Sequence, residues 1–241
     1  MTALAGQTAL VTGASSGIGR AIALKLACHN MKLCLIGRSK PKLREVRQCA
    51  EESSDMVIDF SVDLTEGRSA QRVVRLVEDQ FGELNILVHS AGIISLGTIE
   101  KASVEDFTRQ ISANLIGPYM LTKELLPFLK RSRGQVVFIN SSIVCNPRPG
   151  TIQFAATQHA LKGVADCLRA ELNEVGIRVV SVFPGRTATP RQERLYRAEG
   201  KPYKPERLLQ AGDVATLVVN VLSLPAGAET TDIHVRPTLK N

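Results

Sequence analysis

Residues 12–19, Thr12-Gly13-Ala14-Ser15-Ser16-Gly17-Ile18-Gly19, place three glycines where an apolar run (8–12) gives way to a helically periodic segment (17–29). Glycines so spaced at a strand-to-helix turn suit a diphosphate. The first permits a tight turn, the second lets backbone approach the pyrophosphate, and the third lets helix and strand pack closely. The free N–H groups opening the helix then face the phosphates. A second signal follows the next apolar run (32–37), where the chain reads Ile36-Gly37-Arg38-Ser39-Lys40. An acidic residue there would bind the ribose 2′-hydroxyl of NAD; no carboxylate is present. The planar fork of Arg38, with Ser39 and Lys40 beside it, suits a 2′-phosphate instead, so the pattern points to NADP(H).

The elements that must position these groups alternate along the chain. Strands are predicted at 8–12, 32–37, 56–63, 86–89, 135–140, 177–183 and 233–235. Helices are expected at 17–29, after Pro41, from a Thr65 cap through 81, and over 103–131, where Ser103 and Asp106 form a capping pattern and Pro118 and Pro127 kink or break it. Further helices are expected at 154–175 and 214–224, the last capped by Asp213. This rhythm predicts one α/β domain over 1–241, a doubly wound parallel sheet (Rossmann fold) of about seven strands with helices on both faces. Only 184–210, rich in Pro, Arg and Lys, breaks it, and reads as a mobile lid over a cleft.

Composition narrows the function classes. The chain has 241 residues, 44% hydrophobic and 22% charged, ordinary for a globular domain. No apolar run reaches the roughly 18 residues of a membrane span, and the N-terminus lacks a signal-peptide layout. Cys28, Cys34, Cys49, Cys145 and Cys167 form no CxxC pair and read as buried small hydrophobes of a reducing cytoplasm. The four histidines lack ligand spacing, so no metal is expected. The net charge of +7 would allow nucleic acid as a partner, but 4% aromatics and no basic helix argue against it.

The motifs together resemble the short-chain dehydrogenase/reductase family over nearly the whole chain. The family's TGxxxGIG turn is met in full at 12–19, and Asp63-Leu64 matches its adenine-holding position. Its NNAG reads His89-Ser90-Ala91-Gly92, with the Ala-Gly kept. Asn114 matches the asparagine of a proton relay, Ser142 the serine that bonds the substrate carbonyl, and Pro184-Gly185 with Thr187 and Thr189 the turn around the nicotinamide. The resemblance implies hydride transfer between NADP(H) and a carbonyl or alcohol, in a homodimer or homotetramer.

The resemblance breaks at the centre of the chemistry. The family's YxxxK helix reads Phe154-Ala155-Ala156-Thr157-Gln158. Positions four apart share a helix face, so both side chains would face the cleft. In the family the tyrosine gives a proton and the lysine lowers its pKa. Phenylalanine has no proton to give and glutamine no charge, although the Gln158 amide can still bond the nicotinamide ribose. General acid catalysis, typically worth about 10²–10⁴-fold, is therefore expected to be missing while cofactor binding survives. The change is coherent, because a lysine beneath an apolar ring would be a poorly compensated charge. The Ser142-to-Phe154 interval is also one residue shorter than the family's. His159, Cys145, Lys162, Tyr119, Tyr196 and Tyr203 offer substitute acids by residue type, each a weaker reading than the plain one that the usual mechanism is gone.

Seven basic residues between Arg186 and Arg207, against Glu193, Glu199 and Glu206, make the lid basic, suited to an anionic substrate or simply to solvation. Two functions remain: an NADP(H)-dependent oxidoreductase with an unusual proton source, or a silent NADP(H)-binding regulator or partner of an active relative.

Overall fold

Every residue of Thr8–Thr12 (β1) is buried, as a strand covered on both faces must be. In the computed structural model, which describes residues 4–239, β1 is an inner strand of a seven-stranded parallel sheet. The other strands are Lys32–Gly37 (β2), Val57–Ser61 (β3), Ile86–His89 (β4), Gln135–Ile139 (β5), Arg178–Pro184 (β6) and Asp232–Val235 (β9), with Thr187–Ala188 (β7) and Leu209–Gln210 (β8) paired separately. The sheet order is β3-β2-β1-β4-β5-β6-β9. The order reverses between β1 and β4, and a crevice opens there beyond the strands' carboxyl ends.

Alternation along β1 builds two cores. Ala9 and Val11 pack with Ile22 and Leu26 of Gly17–Ala27 (α1) and with Val214 and Val218 of Ala211–Leu222 (α8). Leu10 faces the opposite layer, made by Ser69–Gln80 (α3), Gly117–Ser132 (α5) and Ile152–Leu172 (α6). The remaining helices are Lys40–Glu51 (α2), Val104–Ile111 (α4) and Pro190–Ala198 (α7). No helix of the described residues is long and apolar enough to cross a membrane.

The departures from expectation have local causes. Thr65 does not cap α3. Asp63 Oδ1 accepts from Thr65 N at 3.0 Å and Thr65 Oγ1 at 2.8 Å, a tight side-chain turn that delays the helix until Ser69. The expected helix over 103–131 runs without a break from Val104 to Ser132, as α4, capped by Ser103 Oγ accepting from Asp106 N, then a π turn at Ser112–Ile116, then α5. Pro118 follows closely on the π turn, and Pro127 lies inside the helix. Asp213 is not the cap of α8 but its third residue, closing a capping box with Gln210. The lid is more regular than expected, since Thr189 Oγ1 accepts from Gln192 N, Pro190 occupies the first turn, and α7 forms. The expectation of buried cysteines holds only for Cys34, within β2; Cys28, Cys49, Cys145 and Cys167 are exposed.

Candidate functional site

The glycine turn owes its shape to backbone crowding. Gly13 has φ 67°, and a Cβ there would lie 2.8 Å from the Ser90 carbonyl oxygen. Gly19 faces the turn itself, where a Cβ would come within 2.5 Å of the Gly13 oxygen, so α1 packs against β1 only without a side chain. Thr12, buried beneath, accepts from Ser90 N at 3.0 Å and Ala91 N at 3.1 Å, which ties β1 to the loop after β4. Ser16 is the N-cap of α1 but makes no side-chain cap bond, and the first turn carries no acidic residue. The helix thus opens onto the crevice with uncapped N–H groups, an arrangement that favours an anion.

The crevice is a cleft of about 650 Å³. Its walls bring together Gly13, Ser15, Ser16, Gly17, Ile18, Arg38, Ser39, Asp63, Leu64, Ala91, Gly92, Asn114, Phe154, Gln158 and Thr189. Thr12 and Gly19 lie behind this wall. Pro184, Gly185 and Thr187 form the root of the lid, where Gly185 N donates to Val235 O at 2.7 Å and Thr187 Oγ1 to the Gly185 oxygen at 3.0 Å. At one end Arg38 stands 3.7 Å from Asp63. Burial alone would raise the Asp63 carboxyl, but the Thr65 hydrogen bonds and the Arg38 guanidinium outweigh it and hold the pKa below the ordinary aspartate value.

His89, in the floor, is fully enclosed. It stacks on Phe138 with centroids 4.9 Å apart, and its Nε2 pairs with Thr122 Oγ1 at 2.8 Å. Burial pushes its pKa down to about 3, so the ring is neutral at ordinary pH and is no proton donor there.

The opposite wall comes from α5, α6 and the π turn. Asn114, buried within that turn, accepts from Ile93 N at 2.7 Å and donates to Ile93 O at 2.9 Å and Thr157 Oγ1 at 3.1 Å. Its amide is thereby committed to holding the loop after β4 against α6. Phe154 and Gln158 line the cleft one helical turn apart. Gln158 is 5% exposed, and its side-chain amide has no hydrogen bond among the described residues; its carbonyl accepts from Asn140 Nδ2 at 3.1 Å. Ser142 is not among the lining residues. It opens a 3₁₀ turn, Ser142–Val144, that Ser141 caps through Ile143 N, while Asn140 is the residue of this segment that reaches the cleft.

None of the substitute acids weighed from the sequence lines the cleft among the described residues. His159 Nδ1 pairs with the Ala155 carbonyl oxygen, Cys145 Sγ lies 3.5 Å from His234 Nδ1, and Lys162 is held by Asp166 and Asp232. Tyr119 is an exposed side chain, while Tyr196 and Tyr203 pack edge to face with each other under the lid. Residues missed in the sequence are Lys42 and the polar lining of Thr108, Arg109 and Ser112. Arg191 and Arg194 were read as part of the basic lid, but not as cleft residues; their spacing of three just after Thr189-Pro190 was the available signal. No cluster of three or more His, Cys, Asp or Glu that could hold a metal exists among the described residues.

Residues 7–200 match the family described as short chain dehydrogenase, and the chain belongs to it. It is similar to an uncharacterized oxidoreductase of Staphylococcus epidermidis, 31% identical over 96% of this chain and 97% of that one. Among solved structures, an alcohol dehydrogenase of the archaeon Thermococcus sibiricus complexed with 5-hydroxy-NADP superposes with a TM-score of 0.87 at 26% identity, covering 98% of each chain. A 3-ketoacyl-(acyl-carrier-protein) reductase from Brucella melitensis complexed with NADH gives 0.85 at 25% identity over 97% of this chain and 98% of that one.

Proposed function

We propose that the chain is an NADP(H)-binding member of its family in which Phe154 and Gln158 stand at the positions of the family's tyrosine and lysine, so that proton donation by that pair is absent. The observation that carries the reading is the pairing of an intact cofactor wall with a far wall devoid of an acid. The glycine cradle and the uncapped start of α1 suit a diphosphate, and Arg38 with Ser39 suits a 2′-phosphate. The unbonded amide of Gln158, buried in the far wall, suits a ribose hydroxyl. The structural relatives with bound NADP analogue and NADH support a nicotinamide cofactor, and the absence of an acidic residue from positions 36–40 at the end of β2 supports NADP(H).

A bound nicotinamide would supply or accept hydride. This chain's residues would bind and orient it, exclude water through the lid, and offer hydrogen bonds from the Gln158 amide, but supply no proton at Phe154. A second reading, a catalytically silent protein that binds the cofactor for regulation or pairs with an active relative, is favoured by Asn114 and Ser142. The amide of the first is already consumed, and the second lies outside the cleft wall. Titration with NADPH and NADH, followed by NADPH oxidation with a panel of aldehydes and ketones, tests both. NADPH binding with turnover near background supports the proposal, and turnover at ordinary enzymatic rates overturns it.

A further inference from the structure

The lid sorts its charges by direction. Arg186 pairs with Glu199 at 2.7 Å, Lys201 with Glu199 at 2.9 Å, and Arg197 with Glu193 at 3.7 Å. Arg191 and Arg194, the two lid cations that line the cleft, have no carboxylate partner among the described residues. Arg191 reaches across to the loop after β4, where its Nη2 donates to the Gly92 carbonyl oxygen, a neutral acceptor for a charged group. Five cationic side chains line this cleft against one carboxylate, Asp63. Although Arg191 as a residue keeps much of its surface exposed, desolvation of its charge, with repulsion from Arg194 and Arg38, holds its pKa below the ordinary arginine value. Gathered like charges of this kind are stabilised by a polyanion between them.

The root of the helix fixes where that anion lies. Thr189 packs over the glycine turn so closely that a Cβ at Gly17 would come within 3.1 Å of its Cγ2. α7 therefore starts directly above the turn suited to a diphosphate, with Arg191 and Arg194 within its first five residues.

We propose that Arg191 and Arg194 form a latch that closes α7 on the pyrophosphate of the bound dinucleotide, so that cofactor binding and lid closure are one event. The inference rests on the dinucleotide reading above and adds to it a contact made from the lid. Because the pyrophosphate is common to NADPH and NADH, the latch acts on both, and the 2′-phosphate falls chiefly to Arg38. Guanidinium–phosphate bonds are charge-assisted, and replacing both latch arginines by neutral amides, which keep part of the hydrogen bonding, weakens binding by about 10- to 100-fold.

The test uses the full chain, the paired variant Arg191→Gln with Arg194→Gln, the charge-keeping variant Arg191→Lys with Arg194→Lys, and Arg38→Gln. Each is titrated with NADPH and with NADH. Cleavage by a glutamate-specific protease at Glu193 and Glu199 is followed with and without NADPH. The glutamine pair is expected to lose about 10- to 100-fold for both cofactors with their ratio unchanged, the lysine pair to recover part of it, and Arg38→Gln to lose NADPH selectively. NADPH is expected to slow lid cleavage in the unaltered chain and not in the glutamine pair. Unchanged affinity in the glutamine pair, or a loss confined to NADPH, overturns the latch while leaving the dinucleotide site standing. Failure of the unaltered chain to bind either cofactor overturns both.

Discussion

The Asn140 side chain donates to the carbonyl oxygen of Gln158 at 3.1 Å, tying the end of β5 to α6 one turn beyond Phe154. That bond fixes the depth at which the α6 face meets the cleft. The Asn114 bonds to Ile93 and Thr157 brace the same helix from the other side. The frame around the Phe154 ring is thus in place whatever the residue there can do. Restoring the pair by Phe154→Tyr with Gln158→Lys is expected to raise kcat/KM for carbonyl reduction by about 10²–10⁴-fold. Steady-state kinetics over a broad panel of aldehydes and ketones checks this; no gain would mean that more than the acid is missing.

The glycine turn makes a prediction about stability that does not depend on any ligand. A methyl at Gly19 meets the Gly13 oxygen at 2.5 Å, and backbone on both sides leaves little room to give. Gly19→Ala is expected to destabilise the fold by about 1–3 kcal/mol, the range of overpacking. Gly163, within α6, has open space around the same position, so Gly163→Ala is expected to stabilise it by up to about 1 kcal/mol. Urea unfolding of the two variants beside the parent measures both signs.

His89 sets a pH dependence. Folded, its ring resists protonation down to about 3; unfolded, it takes a proton near 6.5. Between those values the unfolded state holds one proton more, so stability rises with pH through the window and is lost on acidification. The slope approaches ~1.4 kcal/mol per pH unit, or about 2 kcal/mol between pH 6.5 and 5. Unfolding free energies from urea titrations at pH 7 and 5 should differ by that much more in the parent than in His89→Gln. Equal differences would show that the ring is not the source.

How much of this was legible in the sequence depends on whether a residue's role is local. β1, β2 and β4 follow from short apolar runs bounded by turns, and the glycine turn from its own spacing. The Ser103 cap was readable for the same reason, since donor and acceptor are three residues apart. The capture of Thr65 by Asp63 was missed because the helix-cap reading of a threonine competes with an equally local turn. Roles set by distant partners were out of reach. Asn114 is spent on Ile93 and Thr157, positions far along the chain, and Arg191 spans 99 residues to reach Gly92. The one-residue shortening between Ser142 and Phe154 was legible, and in the structure Ser142 opens the 3₁₀ turn within that interval.

Arg38 carries the cofactor preference. Its guanidinium, with side-chain exposure of 68% and a single carboxylate, Asp63, paired to it at 3.7 Å, can exchange that long contact for a phosphate. Arg38→Ala is expected to weaken NADPH by about 10- to 100-fold and NADH far less, as competitive titrations of the variant would record.

The most direct measurement is an equilibrium titration of the unaltered protein with NADPH and, separately, NADH, read by cofactor fluorescence in a chain that contains no tryptophan. Micromolar binding of NADPH, at least about tenfold tighter than NADH, is the predicted result, the margin being the worth of a charge-assisted contact to the 2′-phosphate. Equal affinity for the two would contradict the role given to Arg38, and binding of neither would contradict the account as a whole.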